Sequence, residues 1–342
     1  MMKAKLKVIK NWEFEEVKPV DKSFKYSPFA GKEMIARGEH EIVLWTSVLD
    51  NENIGILWIK GDSLKQISSP ESKEERDIWK NPVLLSCDKG ILLLCPATKK
   101  LWYLQDFDAE WTEFAMDNWC PYGTPMPITT TGYQGTFPIV CRLGNNLDST
   151  NSFTILTVDF ENKKAHWPKD TSCVYSKPGI REKHIASLER SGNDFVKADF
   201  NYQAPTIGSI LEENGQFYAF LEGNITNPAR LNLMGYYWFL EIEPNGLFKT
   251  KIWGKDNLSR LEGKHGMRGK FSGDRQWMIL SPIFKNNEWK GKQKILRISD
   301  NELIDIVLPR GYASFRVIDI WGSHAFLTDE NHKLTVCAIE LA

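Results

Sequence analysis

The side chains best suited by type to proton-transfer or covalent chemistry are a tyrosine and two carboxylates that lie far apart in the sequence. Tyr312 can act as a nucleophile or a proton relay if a carboxylate within about 3 Å activates its hydroxyl. Glu222 and Asp199 are the carboxylates that we expect to supply this partner. The alternative for Tyr312 is a strand tyrosine whose hydroxyl is hydrogen-bonded inside the fold. These three residues are the candidate catalytic group.

A second polar group, His265 and Arg268, lies in a segment with three glycines. The segment reads Gly263-Lys264-His265-Gly266-Met267-Arg268-Gly269. Glycine accepts backbone conformations that let a ligand approach the main chain closely. The pair is therefore a candidate for binding a substrate, and the alternative is a solvated loop.

Motifs that mark several common classes of enzyme are absent from the sequence. It contains no phosphate-cradling glycine loop, no nucleophile elbow and no H-E-x-x-H zinc motif. The closest cysteines, Cys87 and Cys95, are too far apart for a C-x-x-C pair. These two, like Cys141 and Cys337, lie in apolar runs, where a reduced cysteine behaves as a small hydrophobic residue. We therefore expect no metal and no cofactor.

The charge balance and the hydropathy pattern exclude two further classes of partner. The 342 residues carry 43 Lys and Arg against 44 Asp and Glu, and a dedicated nucleic-acid binder needs a basic excess. No apolar run approaches the roughly 18 residues that a membrane-spanning helix needs. The first residues lack the apolar stretch of a secretory signal, so we expect a cytoplasmic protein. The partner classes that remain are a carbohydrate and another protein.

The elements that must position these residues are predicted to be short strands. The chain has 13 Trp, 18 Phe and 10 Tyr together with 24 Gly and 16 Pro, which is typical of an all-β fold. A repeat that reads strand, turn, strand, strand and short polar strand begins at Asn81, and a second copy of it begins at Gln203. Weaker copies begin near Tyr26, Thr124, Met267 and Tyr312. We expect the second strand of the Tyr26 copy at Glu41–Thr46 and the third strand of the Met267 copy at Lys294–Ile298. Six such copies have the period of propeller blades with four antiparallel strands.

The sixth copy reaches Ala342 after three strands, whereas the chain has a surplus strand at its start. Leu6–Ile9 or Trp12–Val17 would supply the missing outer strand and close the repeat without an open edge. We therefore predict that residues 1–342 form one six-bladed β-propeller domain closed by its N-terminal strand. A connection at about 170–201, with a short helix, interrupts the pattern. A pair of two-sheet sandwiches is the alternative fold.

The openings of the repeats resemble those of the six-bladed BNR-repeat sialidase-like family. Trp79-Lys80-Asn81-Pro82-Val83-Leu84 followed by Asp88-Lys89-Gly90 is similar to the opening and turn of that family's second blade. Gln203-Ala204-Pro205-Thr206-Ile207 is similar to its Gln-Pro-Thr opening, and Tyr312-Ala313-Ser314-Phe315 to the opening of its last blade. The resemblance implies a propeller that acts on carbohydrate at the mouth of its central channel.

The sequence also departs from that family. Asp106 and Trp111 keep the Asp-to-Trp spacing of the family's Asp box, while the Ser, Gly and Thr places hold other residues. The first arginine of the family's carboxylate clamp is replaced by Tyr26-Ser27-Pro28, although Arg268 and Arg310 are candidates for the other places. If the protein is an enzyme, we therefore expect a glycoside hydrolase of sialidase-like fold that is not a standard sialidase.

The first strands of propeller blades line the channel, so the residues that open the blades are the candidates for binding substrate. With His265 and Arg268, they are Tyr26, Lys80, Asn81 and Gln203. One functional hypothesis is a glycosidase-like or glycan-binding propeller, with two carboxylates about 5–9.5 Å apart or a Tyr–carboxylate pair. The other is a non-catalytic scaffold whose face or rim docks a partner protein.

Overall fold

The computed structural model describes most of the chain, with gaps. The described residues are 2–12, 34–46, 55–71, 82–120, 123–126, 128–142, 151–167, 201–202, 206–213, 215–227, 232–242, 248–253, 267–282, 292–329 and 333–342. Within these ranges every regular element is a β-strand. The predicted connection at 170–201, with its helix, lies outside the described residues except for its last position. In the described part no helix offers the length and apolarity needed to cross a membrane.

The strands are grouped into antiparallel units that follow one another along the chain. The chain starts with β1 (Lys3–Trp12). The strands of the first unit are β2 (Met34–Gly38), β3 (Glu41–Thr46), β4 (Gly55–Lys60) and β5 (Ser63–Ser68). Those of the second unit are β6 (Val83–Cys87), β7 (Gly90–Cys95), β8 (Lys100–Leu104) and β9 (Thr112–Met116). In both units each strand pairs with the next one, which is the up-and-down order of a propeller blade.

The remaining strands continue this order with more irregularity. The third unit has β10 (Thr124–Pro125), β12 (Thr136–Arg142), β13 (Asn151–Asp159) and β14 (Lys164–His166), while β11 (Thr130–Thr131), which lies between β10 and β12 in the chain, pairs in parallel with β6. The fourth has β15 (Asn201–Tyr202), β16 (Thr206–Glu213), β17 (Gln216–Asn227), β18 (Asn232–Ile242) and β19 (Phe248–Trp253). The fifth has β20 (Met267–Phe271), β21 (Trp277–Pro282), β22 (Lys294–Arg297) and β23 (Glu302–Val307). The sixth has β24 (Arg316–Trp321), β25 (His324–Thr328) and β26 (Leu334–Leu341).

Burial explains why the inner strands read differently from the outer ones. All residues of β6 and β7 are buried, so both faces of these strands are covered and their sequences are nearly continuous apolar runs. In the outer strand β9, Phe114 is buried while both its neighbours are not, which is the alternation of a half-exposed strand. The sheet of the second unit is therefore covered at its inner strands and meets solvent at its outer one.

The N-terminal strand completes the sixth unit. Strand β1 pairs antiparallel with β26, with Leu6 opposite Ile339, so the order in this unit is β24, β25, β26, β1. Ala4 and Leu6 are buried, while the lysines between and beside them are exposed. The predicted outer strand at Leu6–Ile9 lies within β1, and residues 13–17 of the other candidate lie outside the described part.

The hydrophobic cores lie between neighbouring units. One cluster combines Ile35 and Val43 of the first unit with Leu84 and Leu93 of the second. Another combines residues of the sixth and first units, among them Phe326 and Met34, and two more join the second to the third unit and the fifth to the sixth. Face-to-face packing of successive sheets is the packing of propeller blades, and the all-β, β-propeller character of the fold follows from it.

A buried ion pair ties the first strands of three units together. The Asp319 carboxylate accepts hydrogen bonds from the backbone N–H groups of Ala36 (2.9 Å), Gly273 (2.9 Å) and Ile320 (2.7 Å). Its fourth partner is the ammonium of Lys270, at 3.1 Å, which also donates to the carbonyls of Met34 and Ile318. Burial lowers the pKa of Lys270, and Asp319 opposes that shift. Each charged or polar group described in this cluster has a partner inside the fold. The role of the cluster is therefore to hold the first strands of the three units together.

Gly273 lies so close to the first unit that a methyl group added at this position is expected to destabilise the fold strongly. A Cβ atom at this position would lie 1.9 Å from the Ala36 carbonyl oxygen, so the backbone would have to move. We expect Gly273→Ala to lower the free energy of unfolding by on the order of 3 kcal/mol, measured by urea denaturation. At Gly38 the nearest atom to such a Cβ is 3.4 Å away, so Gly38→Ala is the matched control, with less than about 1 kcal/mol expected. Equal costs at the two positions would contradict this packing.

Candidate functional site

A cavity of about 460 Å³ lies where β23 ends and β22 and β24 begin. Its apolar wall is the stretch Ile306–Pro309, and Gly311 and Ala313 complete the small-residue part of the lining. The polar lining consists of Lys292, Gln293, Arg310 and Arg316. We call this space the basic cavity, because three of these four polar residues are cationic and the described lining residues include no carboxylate.

Gln293 and Arg316 hold the walls of the basic cavity in place. The Gln293 amide donates to the Ser281 hydroxyl (2.7 Å) and the Val317 carbonyl (2.8 Å), and its oxygen accepts from the Val317 N–H at 2.7 Å. These bonds fasten the start of β22 to β24. The Arg316 guanidinium donates to the carbonyl of Phe315 at 2.8 Å. Burial lowers the pKa of Arg316, but an arginine remains protonated near neutral pH.

The positive charges of the basic cavity meet an apolar surface, which favours a particular type of ligand. Guanidinium and ammonium groups donate charge-assisted hydrogen bonds to carboxylates, sulfates and phosphates. Lys292 and Arg310 are exposed and can reach a ligand from solvent. The arrangement is suited to an anionic ligand that also has an apolar face, whereas hydrolysis with paired carboxylates would need residues from outside the lining.

Tyr312 lies in the loop that borders the basic cavity. Its hydroxyl donates to Asn11 Oδ1 at 3.0 Å, and its ring packs on Phe315 with 4.6 Å between centroids. The same Asn11 oxygen accepts a hydrogen bond from Thr335 at 2.8 Å. This partner is an amide, and the predicted pairing of Tyr312 with a carboxylate depends on side chains that are not described. The catalytic role of Tyr312 therefore remains a prediction.

The other predicted site residues are only partly described. Glu222 lies in β17, opposite Thr206 and Tyr237, and Arg268 lies in β20, opposite Ser281; the side chains of both are outside the described part. The remaining predicted residues are Tyr26, Lys80, Asn81, Asp199, Gln203 and His265, and all of them lie outside the described residues. Their roles in binding or catalysis stay predictions.

Two of the cationic residues of the basic cavity were not singled out from the sequence. Arg310 was considered for an arginine clamp, while Lys292 and Arg316 were not. The available signal was position: Arg310 follows the end of β23, Lys292 precedes β22 and Arg316 opens β24. In the fifth unit the end of the fourth strand and the start of the third lie at one end of the sheet, and the first strand of the sixth unit begins beside them, so these residues could have been grouped by topology.

Each described cysteine lies in a hydrophobic core, which agrees with the structural role expected for Cys87, Cys95, Cys141 and Cys337. Cys87, Cys95, Cys120, Cys141 and Cys337 are all buried and none forms a disulfide. Burial raises the pKa of the Cys337 thiol to about 11 and raises that of Cys87. Because a nucleophilic cysteine needs a thiolate, these two thiols are unsuited to catalysis.

The Asp-to-Trp segment that resembles an Asp box lies in the turn between β8 and β9, the third and fourth strands of the second unit. Asp106 accepts a hydrogen bond from the Asp108 N–H at 2.9 Å, which closes an Asx turn. The Trp111 indole donates to the Ser68 carbonyl at 2.9 Å and packs on the core between the first two units. The aspartate shapes the turn and the tryptophan fastens it to the neighbouring unit.

Comparisons with known proteins give weak similarities. No protein-family model matches the chain, and no curated protein matches it. Among solved structures, the β-propeller domain of Cps50 (Swd1) from Myceliophteria thermophila has a TM-score of 0.43 and 7% identity, covering 98% of this chain and 100% of that one. An endo-arabinase from Bacteroides thetaiotaomicron has a TM-score of 0.40 and 8% identity, covering 78% of this chain and 93% of that one.

A thermostable family-43 glycoside hydrolase is a third similar structure. It has a TM-score of 0.37 and 12% identity, covering 77% of this chain and 88% of that one. Similarities of this size assign neither a fold nor a function. The fold of this chain rests on its own strand pairings, and its site rests on the residues of the basic cavity.

Proposed function

We propose that the chain forms a six-bladed β-propeller, with the six units arranged as a ring that β1 closes. The support is a circular series of contacts among the inner strands: β24 contacts β2, β2 contacts β6, β6 pairs with β11, β11 contacts β16, and β16 contacts β20. The hydrogen bond from Lys270 of β20 to the Ile318 carbonyl of β24 completes the series. Residues 1–342 are then one domain, with the connection at about 170–201 inserted between the third and fourth blades.

We further propose that this propeller binds an anionic carbohydrate in the basic cavity. The observation that carries the proposal is that the described part of the lining combines three cationic side chains with an apolar wall and contains no carboxylate. Sugars present apolar ring faces as well as polar edges, and an acidic sugar adds a carboxylate for Arg310 and Lys292 to bind. The resemblance of the repeat openings to the BNR sialidase-like family agrees with a protein that acts on carbohydrate.

The described residues of the basic cavity are suited to binding a carbohydrate, whereas hydrolysis would require side chains outside the described part of the chain. A glycoside hydrolase uses two carboxylates, or a tyrosine with a carboxylate, on either side of the bond it cleaves. Tyr312 borders the basic cavity, so Glu222 or Asp199 would have to supply the acid. Glycosidase-like activity therefore depends on those two side chains, while binding does not.

A thermal-shift screen tests the proposed binding site. Glucuronate, galacturonate and N-acetylneuraminate are compared with glucose and galactose; a ligand at a hundred times its Kd should stabilise the protein by about 2.7 kcal/mol. We expect an acidic sugar to raise the Tm of the wild type and the effect to be lost in Arg310→Gln and Lys292→Gln. Arg297→Gln is the control, since that guanidinium bonds Asp300 and Glu302 away from the basic cavity.

An equal shift in all three variants would place the ligand elsewhere and contradict the assignment. A shift with the neutral sugars alone would contradict the role of charge. The absence of any shift, for every sugar, would overturn carbohydrate binding and favour the second hypothesis below.

A protein-interaction propeller is the second candidate, and a group of exposed apolar side chains favours it. Val8 and Ile9 of β1, Val307 and Leu341 are large and exposed, and the last two lie opposite residues of β1 in the paired strands. Exposed apolar patches mark protein interfaces. A cross-linking pull-down with the wild type and with Ile9→Ser/Leu341→Ser would test it: a partner lost in this variant and kept in Arg310→Gln supports docking at β1.

A further inference from the structure

Two tight turns bring a pair of histidines and a glutamate together, at the end of β24 opposite to the basic cavity. Glu39 and His40 form the turn between β2 and β3, and His324 opens β25 after its turn with β24. One ligand atom from each of the three side chains can be chosen so that all lie within 4.8 Å of one another. The imidazole rings of His40 and His324 are 5.1 Å apart, and His324 Nδ1 is 3.7 Å from Glu39 Oε1.

The main chain around both turns is held by hydrogen bonds to other elements. The His40 carbonyl accepts from the Gly61 N–H at 2.8 Å, which fixes the first turn against the turn after β4. On the other side, the Ser323 carbonyl accepts from Ile339 at 2.7 Å, and the Gly322 N–H donates to Asp274 at 2.6 Å. The backbones that carry the three side chains are therefore fixed by neighbouring strands and not by the side chains themselves.

Two imidazoles and one carboxylate are the donor set of a transition-metal site. Zn²⁺ binds such residues tetrahedrally at about 2.0–2.2 Å, which places neighbouring donor atoms about 3.4 Å apart. The Glu39–His324 separation of 3.7 Å is already close to that spacing. His40 and Glu39 are exposed, and the chosen ligand atoms of all three residues lie within 4.8 Å of one another. A water molecule would complete a four-coordinate shell. Imidazole donors also select Zn²⁺ over Mg²⁺ and Ca²⁺, which prefer oxygen ligands.

We infer that Glu39, His40 and His324 bind one Zn²⁺ ion that joins the first unit to the sixth. Glu39 and His40 belong to the first unit and His324 belongs to the sixth, so the ion bridges the two ends of the chain. A ligand that binds the folded state alone stabilises it, so zinc would strengthen the junction between these units. No local sequence motif marks this site, because its donors lie far apart in the sequence.

Zinc binding to the full, tag-free chain tests the inference. The chelator-treated protein is dialysed against Zn²⁺ and its zinc content is measured by mass spectrometry, with affinity from calorimetry. We expect one equivalent of zinc and a rise in Tm for the wild type, and an affinity at least tenfold lower for His40→Ala and His324→Ala. His166→Ala is the matched control, because that histidine is exposed on β14 and should leave binding unchanged.

Cobalt substitution keeps the test valid if a variant is also less stable. The visible absorption of bound Co²⁺ reports coordination directly, and it should be that of a four-coordinate site in the wild type and disappear in Glu39→Ala/His324→Ala. The Tm of each variant without metal shows whether it is folded. No bound zinc in the wild type, or equal zinc affinity in the wild type and the two histidine variants, would overturn the inference.

Discussion

Deletion of Lys3–Trp12 is expected to leave a chain that no longer folds stably at 25 °C. The strand contributes the buried side chains Ala4, Leu6 and Trp12 to two cores and pairs with both β26 and β23. Loss of a buried leucine and a buried tryptophan alone costs on the order of 5 kcal/mol, which is comparable to the whole stability of many domains. The deletion would also expose the edge of β26, and open edges promote aggregation. We therefore expect early urea unfolding and oligomers in size-exclusion chromatography.

The control for this deletion lies on the same strand. Lys5 and Lys7 are exposed, and Lys7 makes a surface ion pair with Glu340 at 2.5 Å. Lys5→Ala/Lys7→Ala changes the strand's charge but not its buried face, so its urea midpoint should stay close to that of the wild type. If the deleted chain stayed monomeric and kept the urea midpoint of the wild type, the proposed closure of the ring by β1 would be contradicted.

Asp319→Ala is the point substitution with the largest expected effect, a loss of about 3–5 kcal/mol in the free energy of unfolding. It leaves the backbone N–H groups of Ala36, Gly273 and Ile320 without their acceptor and takes the counter-ion away from Lys270. Lys270→Met should cost less, because the carboxylate then keeps its three backbone donors. Urea denaturation of both variants measures this order.

An exposed ion pair provides the comparison for Asp319. Asp108 lies 3.2 Å from Lys65, and its side chain is 86% exposed, against 0% for Asp319. Asp108→Ala should therefore change stability little, since water already solvates both charges. A cost for Lys270→Met above that of Asp319→Ala would show that the ammonium, and not the carboxylate, organises the junction of the three strands.

The strands could be predicted from the sequence because they follow simple local rules. Glu41–Thr46 was expected as the second strand of the first unit, and the structure has β3 over these same residues. In the fifth unit the expected Lys294–Ile298 corresponds to β22, Lys294–Arg297. Both are short apolar or β-branched runs between turns, and such runs form strands in most contexts.

The site was less predictable, because it depends on distances across the chain. The basic cavity combines Lys292 with Arg310 and Arg316 from another connection, and no motif links their positions in the sequence. The same holds for His40 and His324, which meet because the first and sixth units are neighbours. Rules based on the spacing of residues in the sequence identify ligands that lie on one strand or helix. The cationic residues of the basic cavity and the histidine pair are brought together by packing between different strands. Only the general expectation, a site where the strands of a blade begin, could be derived in advance.

The measurement that tests the proposed function most directly is a calorimetric titration with an acidic oligosaccharide and its carboxyl-reduced analogue. The two ligands share size and ring faces and differ in charge, so their comparison isolates the contribution of Lys292 and Arg310. We predict that the wild type binds the acidic ligand at least tenfold more tightly than the reduced one, and that Lys292→Gln/Arg310→Gln removes this preference. Equal affinity of the wild type for both ligands would contradict an anionic site in the basic cavity.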